Sequence, residues 1–168
     1  MSSFLDTMLA RAKADKQTIV LPEGDDPRTL EAAETILAQG VANLIILGNV
    51  AAIKESGSKL DGATLIDPQD SDLHDEFANT LYELRKHKGM TLEQAAEKVR
   101  DVLFFGVLMV KTGRADGMVS GACHSTGDVL RPSLQILKTA PGVKLVSSFF
   151  IMVVPNCEYG QNGTFLFS

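Results

Sequence analysis

Asp116-Gly-Met-Val-Ser-Gly-Ala-Cys-His-Ser-Thr-Gly-Asp-Val-Leu-Arg131-Pro132 reads as a short buried strand, a polar glycine-bearing loop and the opening of a helix. Units of this kind build parallel sheets covered by helices. A loop of small residues feeding a helix start presents free backbone N–H groups, which suits an anionic ligand. Arg131 lies one turn inside the helix and adds a fixed positive charge.

The same alternation runs through the chain before it. Residues 3–14 read as an amphipathic helix with Phe4, Leu5, Met8, Leu9 and Ala12 on one face. Thr18-Ile-Val-Leu-Pro22 is a short buried strand. Asp26 is a good N-cap and Pro27 a good first helical residue, and Leu30, Ala33, Ile36 and Leu37 give the ensuing helix an apolar face ended by Gly40. Leu44–Leu47 is a second strand, Asn49 to Glu55 a short helix and Thr64–Ile66 a third strand. A long helix is expected from Ser71 to His87. Gly89 stops it, and Thr91 with Gln94 forms a capping box for the next. Val102–Lys111 is an apolar helix, Met118-Val119 a fourth strand, and Thr126 to Lys138 the last helix. Short, wholly apolar strands alternating with helices predict an α/β fold, a three-layer α/β/α sandwich around a mostly parallel sheet.

The pattern changes after residue 143. Lys144–Val154 is β-rich, Pro155–Gly163 is turn-rich, and Thr164–Ser168 is a second β run, so a hairpin is expected. The division is therefore a first α/β domain over 1–143, incomplete, and the β-rich start of a second over 144–168. The final arm is still apolar at Ser168, and a bare apolar edge invites association. The expectation is that 168 residues are a truncated part of a larger protein, and that the Thr164–Ser168 strand is a dimerisation surface.

Composition limits the partners. The formal charge is −5, against nucleic acid as the main partner, because phosphate-backbone binding needs a basic surface. The apolar run Leu103–Val110 falls far short of the roughly 20 residues a membrane span needs, so no membrane partner is expected. Two cysteines, Cys123 and Cys157, are too few for a disulfide framework, and with no signal-peptide pattern at the N-terminus the expected location is cytoplasmic.

Each candidate residue has two readings. Ser120, His124, Ser125 and Thr126 either hold a phosphate, phosphoryl or pyrophosphate group or are ordinary helix-capping polarity. His124 could donate to a phosphate or polarise a carbonyl. Asp128 either orients a donor or complements the helix dipole. Cys123 has no sequence feature that activates it beyond the nearby helix start, and reads as a small buried packing residue rather than a nucleophile. Arg85, in the basic run Arg85-Lys-His-Lys, either complements a helix C-terminus or clamps a phosphate-rich cofactor. Glu23-Gly-Asp-Asp26 could hold a metal but reads more simply as a strand-to-helix turn, and no metal site is expected. Walker, dinucleotide-binding and nucleophile-elbow motifs are not found.

Several longer motifs, in order, resemble the N-terminal half of phosphate acetyltransferase (phosphotransacetylase), of the phosphate acetyl/butyryltransferase family. They are Thr18-Ile-Val-Leu-Pro-Glu-Gly-Asp-Asp-Pro-Arg28, Tyr82-Glu-Leu-Arg-Lys-His-Lys-Gly89, Ala115–Thr126, Leu130–Gly142, Ser147–Met152 and Pro155-Asn-Cys-Glu-Tyr-Gly-Gln-Asn-Gly163. The resemblance implies reversible acetyl transfer between coenzyme A and inorganic phosphate, giving acetyl phosphate. Coenzyme A and acetyl-CoA are then substrates, with no covalently bound cofactor. It also implies a fold akin to the isocitrate and isopropylmalate dehydrogenases, an active-site cleft between two α/β domains, and a homodimer. Arg85 and Arg131 match arginines implicated in coenzyme A binding or cleft electrostatics, while Ser125, Thr126 and the loop N–H groups would contact the phosphate end of the substrate. The family's catalytic Ser-Arg pair and carboxylate base match nothing here, so the catalytic residues are unknown and this piece alone is expected to be inactive. The competing readings are phosphate butyryltransferase, a non-catalytic ligand-binding or oligomerisation module, and a nicotinamide-dependent dehydrogenase of the same fold.

Overall fold

Four parallel strands form the central sheet of a computed structural model that describes residues 4–168. They are β1 (Thr18–Leu21), β2 (Asn43–Leu47), β3 (Thr64–Ile66) and β4 (Gly117–Met118), in the order β3-β2-β1-β4. Ile19 and Val20 of β1 pair with Leu44 and Ile45 on one side, and with Gly117 and Met118 on the other. Asp116 clamps the start of the last pairing. Its backbone N–H donates to the Thr18 carbonyl at 2.8 Å, and its side chain accepts from the Thr18 N–H at 2.8 Å.

The helices are α1 (Phe4–Ala14), α2 (Pro27–Gln39), α3 (Val50–Glu55), α4 (His74–Arg85), α5 (Leu92–Val99), α6 (Val102–Lys111) and α7 (Thr126–Ile136). Two separate cores lie on the two faces of the sheet. Leu30, Ala33 and Ile53 of α2 and α3 pack with Leu21, Leu44 and Ile46. Phe77, Leu81, Ala95, Val99, Phe105, Leu108 and Ile136 of α4 to α7 pack with Val20, Ile45 and Leu47. Adjacent strand residues point to opposite faces, so a strand apolar at every position feeds both cores. This is the expected α/β/α sandwich. Helix α6 is apolar all round because it is buried all round, from Leu103 to Met109. Its ring contact, Phe105 edge-on to Phe77 at 4.8 Å, ties α6 to α4.

Local signals act as the sequence predicts at most ends. Asp26 accepts from the Arg28 N–H and caps α2, Gly40 closes it with φ +64°, and Thr91 with Gln94 forms the capping box of α5. Helix α4 starts at His74 rather than Ser71. Ser71 instead folds its own turn, with its hydroxyl accepting from the Leu73 N–H and its carbonyl from the His74 N–H. At the other end Lys86–Lys88 tighten into a 3-10 turn before Gly89, at φ +83°. Helix α7 ends at Ile136 rather than Lys138. Lys138 turns left-handed at φ +65°, and its N–H closes on the Ser133 carbonyl.

The hairpin is present as β5 (Phe150–Val153) and β6 (Thr164–Phe167), an antiparallel pair separate from the main sheet. Residues 144–149, expected as strand, are irregular, because β5 begins at Phe150, opposite the last paired residue of β6, Phe167. The apolar face expected on α1 buries no residue, and Leu5 and Leu9 remain exposed. Ser3, expected within that helix, lies outside the described residues.

The chain runs from β1 outward to β2 and β3, then returns so that β4 lies on the other side of β1. Such a reversal opens a crevice at the carboxyl ends of the two strands where it occurs, here β1 and β4. The turn after β1 is packed tightly. A Cβ placed on Gly24 would lie 2.6 Å from the Leu47 carbonyl oxygen and 2.8 Å from Ile53 Cδ1. Gly24→Ala is therefore expected to destabilise the fold by about 1–3 kcal/mol through overpacking. Urea unfolding checks this, and an unchanged midpoint would contradict it.

Candidate functional site: the loop beyond β1 and β4

Two segments meet at the crevice. After β1 the chain continues through Pro22 and Glu23 into the turn before α2, and after β4 it continues through Ser120–His124 into α7. Glu23 is the one charged residue among the buried ones described, at 5% exposure. A buried carboxylate is costly unless its oxygens are satisfied. Here the loop satisfies them. Oε2 accepts from the N–H groups of Gly121 and Ala122, both at 2.9 Å. Oε1 accepts from the N–H groups of Cys123 and His124, both at 3.0 Å. His124 Nδ1 lies 2.8 Å from Oε1, and the Cys123 thiol donates to the same oxygen at 3.5 Å. Arg28 adds an outer clasp, with its guanidinium bridging the Asp26 carboxylate and the Ala122 carbonyl.

Burial pushes the Glu23 carboxyl up. The hydrogen bonds from Cys123, Ala122, the His124 side chain and Gly121 together outweigh it and hold the group well below the usual carboxylate range. Glu23 is thus an anion at neutral pH. The same neighbourhood pushes the Cys123 thiol up, through burial first and then its bond to Glu23. Cys123 is not the buried packing residue expected from its size, because its backbone is held at the surface of this loop and the residue is exposed. A raised thiol also argues against a ready nucleophile.

The loop N–H groups expected to meet a phosphate are therefore engaged from within the chain. Their electrostatics are those of an anion nest, and the anion is Glu23. The next N–H groups along, those of Thr126 and Gly127 in the first turn of α7, make no hydrogen bond among the described residues. Ser125 caps α7. Its hydroxyl accepts from the Asp128 N–H and donates to Asp128 Oδ2 at 2.6 Å, and the same oxygen accepts from the Ser125 N–H. The Ser125 hydroxyl and backbone hold the Asp128 carboxyl below its ordinary range, with Arg131 and His124 adding to this.

The structure thus brings Ser120, His124, Ser125, Thr126, Asp128 and Arg131 onto one continuous strand–loop–helix. Ser120 Oγ is buried without a hydrogen-bond partner. Arg131 is exposed and forms no ion pair among the described residues. Arg85 lies apart, in the last turn of α4, with its Nε buried and unpaired. It makes no direct bond to the loop, although α4 packs against α7. Glu23, His124 and Cys123 also bring three metal-ligating atoms within 4.8 Å of one another, a grouping their sequence separation hid. Backbone donors already crowd that carboxylate, so a cation there would face N–H dipoles pointing at it. The surface hollow between α1 and the hairpin, lined by Phe4, Met8, Val153 and Gln161, lies elsewhere.

Glu23 is the residue that sequence reasoning underrated. The available signal was its position directly after the strand Thr18–Leu21, at the carboxyl end where ligands and their supports gather. Glu23→Gln would put an amide NH2 against backbone donors and is expected to cost about 2–4 kcal/mol at pH 7, read by urea unfolding. Because the folded carboxyl is held below its unfolded value, this stabilisation is complete above about pH 4.3 and is lost as pH falls towards the folded value. The gap between wild type and Glu23→Gln should narrow below about pH 4. A gap constant down to pH 2 would contradict this.

Residues 3–168 match the family described as phosphate acetyl/butaryl transferase. The chain is 54% identical to a phosphate acetyltransferase of Thermoanaerobacterium thermosaccharolyticum, covering 99% of this chain and 51% of that protein. It is 55% identical to one of Acetivibrio thermocellus with the same coverage. A solved phosphotransacetylase from Streptococcus pyogenes superposes with a TM-score of 0.86 at 37% identity, over 96% of this chain and 49% of that one. The EutD phosphotransacetylase from Staphylococcus aureus gives 0.83 at 38% identity, over 96% and 48%. The chain spans about half the length of the curated relatives it matches. With the family match covering nearly every residue, this chain belongs to the phosphate acetyl/butaryl transferase family.

Proposed function

We propose that the chain supplies one wall of the active site of a phosphate acetyltransferase, which moves an acetyl group between coenzyme A and inorganic phosphate. The observation that carries this reading is the loop at the crevice between β1 and β4, which ends in the open N–H groups of the first turn of α7, with Arg131 on the same helix and in no ion pair among the described residues. In the acetyl-CoA-forming direction the coenzyme A thiol loses its proton, the sulfur attacks the acetyl carbonyl carbon, and the C–O bond to phosphate breaks. The leaving phosphate carries away the bonding pair and needs donors and positive charge to receive it. Thr126 and Gly127 offer backbone donors, His124 offers its outer ring nitrogen as an acceptor for a P–OH, and the buried Ser120 hydroxyl backs the loop from behind. Arg131 and Arg85 offer guanidinium charge suited to the phosphate groups of phosphate, acetyl phosphate or coenzyme A. Ser125 and Asp128 hold the helix start in shape. No residue of this chain is assigned to thiol deprotonation.

The same proposal includes substrates without a resident cofactor, a cytoplasmic setting and a homodimer. Free Cys123 and Cys157 support a reducing compartment. Phe149, Phe150, Leu166 and Phe167, each more than half exposed on the hairpin, support a surface that packs against further protein. Division at residue 143 is supported by the hairpin's separate sheet. Transfer of butyryl groups is the nearest competitor, since the family name covers both.

Formation of acetyl-CoA from acetyl phosphate and coenzyme A tests the reading, measured for these 168 residues and for a polypeptide continuing them to the length of the relatives. The extended protein is expected to turn over acetyl phosphate faster than butyryl phosphate, and the short chain alone not at all. Robust turnover by the short chain would contradict the assignment of roles. In the extended protein, Arg131→Ala is expected to raise KM about tenfold, the loss of one charge-assisted contact. Unchanged kcat and KM would remove Arg131 from the site.

A further inference from the structure

The His124 ring has two nitrogens in different circumstances. Nδ1 is 2.8 Å from Glu23 Oε1. Nε2 has no partner among the described residues, and the side chain is 30% exposed. The Glu23 side chain is 3% exposed and receives the N–H groups of four consecutive residues, Gly121 to His124. An ionised carboxylate only accepts, so the nitrogen facing it must carry a proton. The four backbone bonds keep the carboxylate from turning away, and the His124 N–H is itself one of them. Backbone and ring of the same residue are thus held by one oxygen.

We propose that Glu23 is a positioning residue, which fixes His124 in the Nδ1–H form and leaves Nε2 as its free nitrogen at the crevice. Glu23 does not touch substrate. It works through His124 and through the loop, and because it fills the nest of Gly121–His124, a bound anion is directed to the side of α7 rather than into the loop. This rests on the reading of the loop as an anion-binding wall. It goes beyond that reading by giving His124 a defined chemical state. A neutral imidazole so held accepts at Nε2, from a thiol S–H or a P–OH, and becomes a donor there only when it gains a second proton. The isolated imidazole in water prefers the opposite tautomer slightly, so the arrangement has a spectroscopic signature.

Long-range proton–nitrogen correlation NMR on the whole chain reads that signature directly. With three histidines in the sequence, His124→Asn identifies the ring by its disappearance. At pH 8 and without ligand, the wild-type His124 ring is expected to show a protonated Nδ1 and a bare Nε2. A dominant Nε2–H form would overturn the proposal, whether or not any variant folds. In Glu23→Gln the ring is expected to move towards Nε2–H, and affinity for inorganic phosphate, followed by amide shifts, to fall roughly tenfold. Glu23→Gln combined with His124→Asn should then weaken binding less than twofold further. Unchanged tautomer and phosphate affinity in Glu23→Gln would also overturn it. If the wild-type chain fails to bind phosphate, the anion-wall reading fails, while the ligand-free tautomer still decides the role of Glu23.

Discussion

One buried carboxylate holds the carboxyl ends of β1 and β4 together. Glu23 lies on β1's side of the crevice and the loop that wraps it on β4's side, about 100 positions later in the chain. A single hydrogen bond of this kind adds about 1.5–3 kcal/mol, and an unpaired buried charge costs several. The four backbone donors and the ring nitrogen therefore depend on Glu23 as much as it depends on them. Removing the acid would leave donors facing one another, and removing the loop would leave a bare charge beside the core.

The arrangement also explains why the sandwich is built as it is. The edge strand β4 is only two residues long and, among the described residues, pairs with β1 alone. Asp116 fastens its beginning to Thr18, and Glu23 fastens the loop beyond its end. Between those ties, Gly106 of α6 lets the helix lie flush on the sheet, where an added Cβ would meet Met118 Sδ at 2.8 Å. Close packing beneath and two polar clamps at the ends give a short strand a fixed position. The next helix, α7, inherits that position and aims its first turn at the crevice.

Much of this was readable from residue order. Periodicity and caps located the helices and strands because each depends on neighbours a few positions away. Asp26 with Arg28, and Thr91 with Gln94, are local devices of that kind. The helix bounds near Ser71 and Lys138 differ from the expectation because local turn bonds compete with the helix there, the Ser71 hydroxyl taking the Leu73 N–H and the left-handed Lys138 closing on the Ser133 carbonyl. The strand–loop–helix that carries the candidate site was legible as an element, since a polar small-residue loop between strand and helix marks itself. Its internal chemistry was not. Nothing near Cys123 and His124 in sequence indicates that their N–H groups close on an acid at position 23, nor that the pairing leaves Cys123 exposed with a raised thiol.

The central claim is that the nest of Gly121–His124 is filled by Glu23, so that ligand anions meet the first turn of α7 instead. Backbone amide shifts during titration of the chain with coenzyme A test it most directly. The account predicts the largest changes at Thr126, Gly127 and Arg131, with the amides of Gly121, Ala122 and Cys123 nearly still. Dominant changes at Gly121–Cys123, or none along α7, would contradict it.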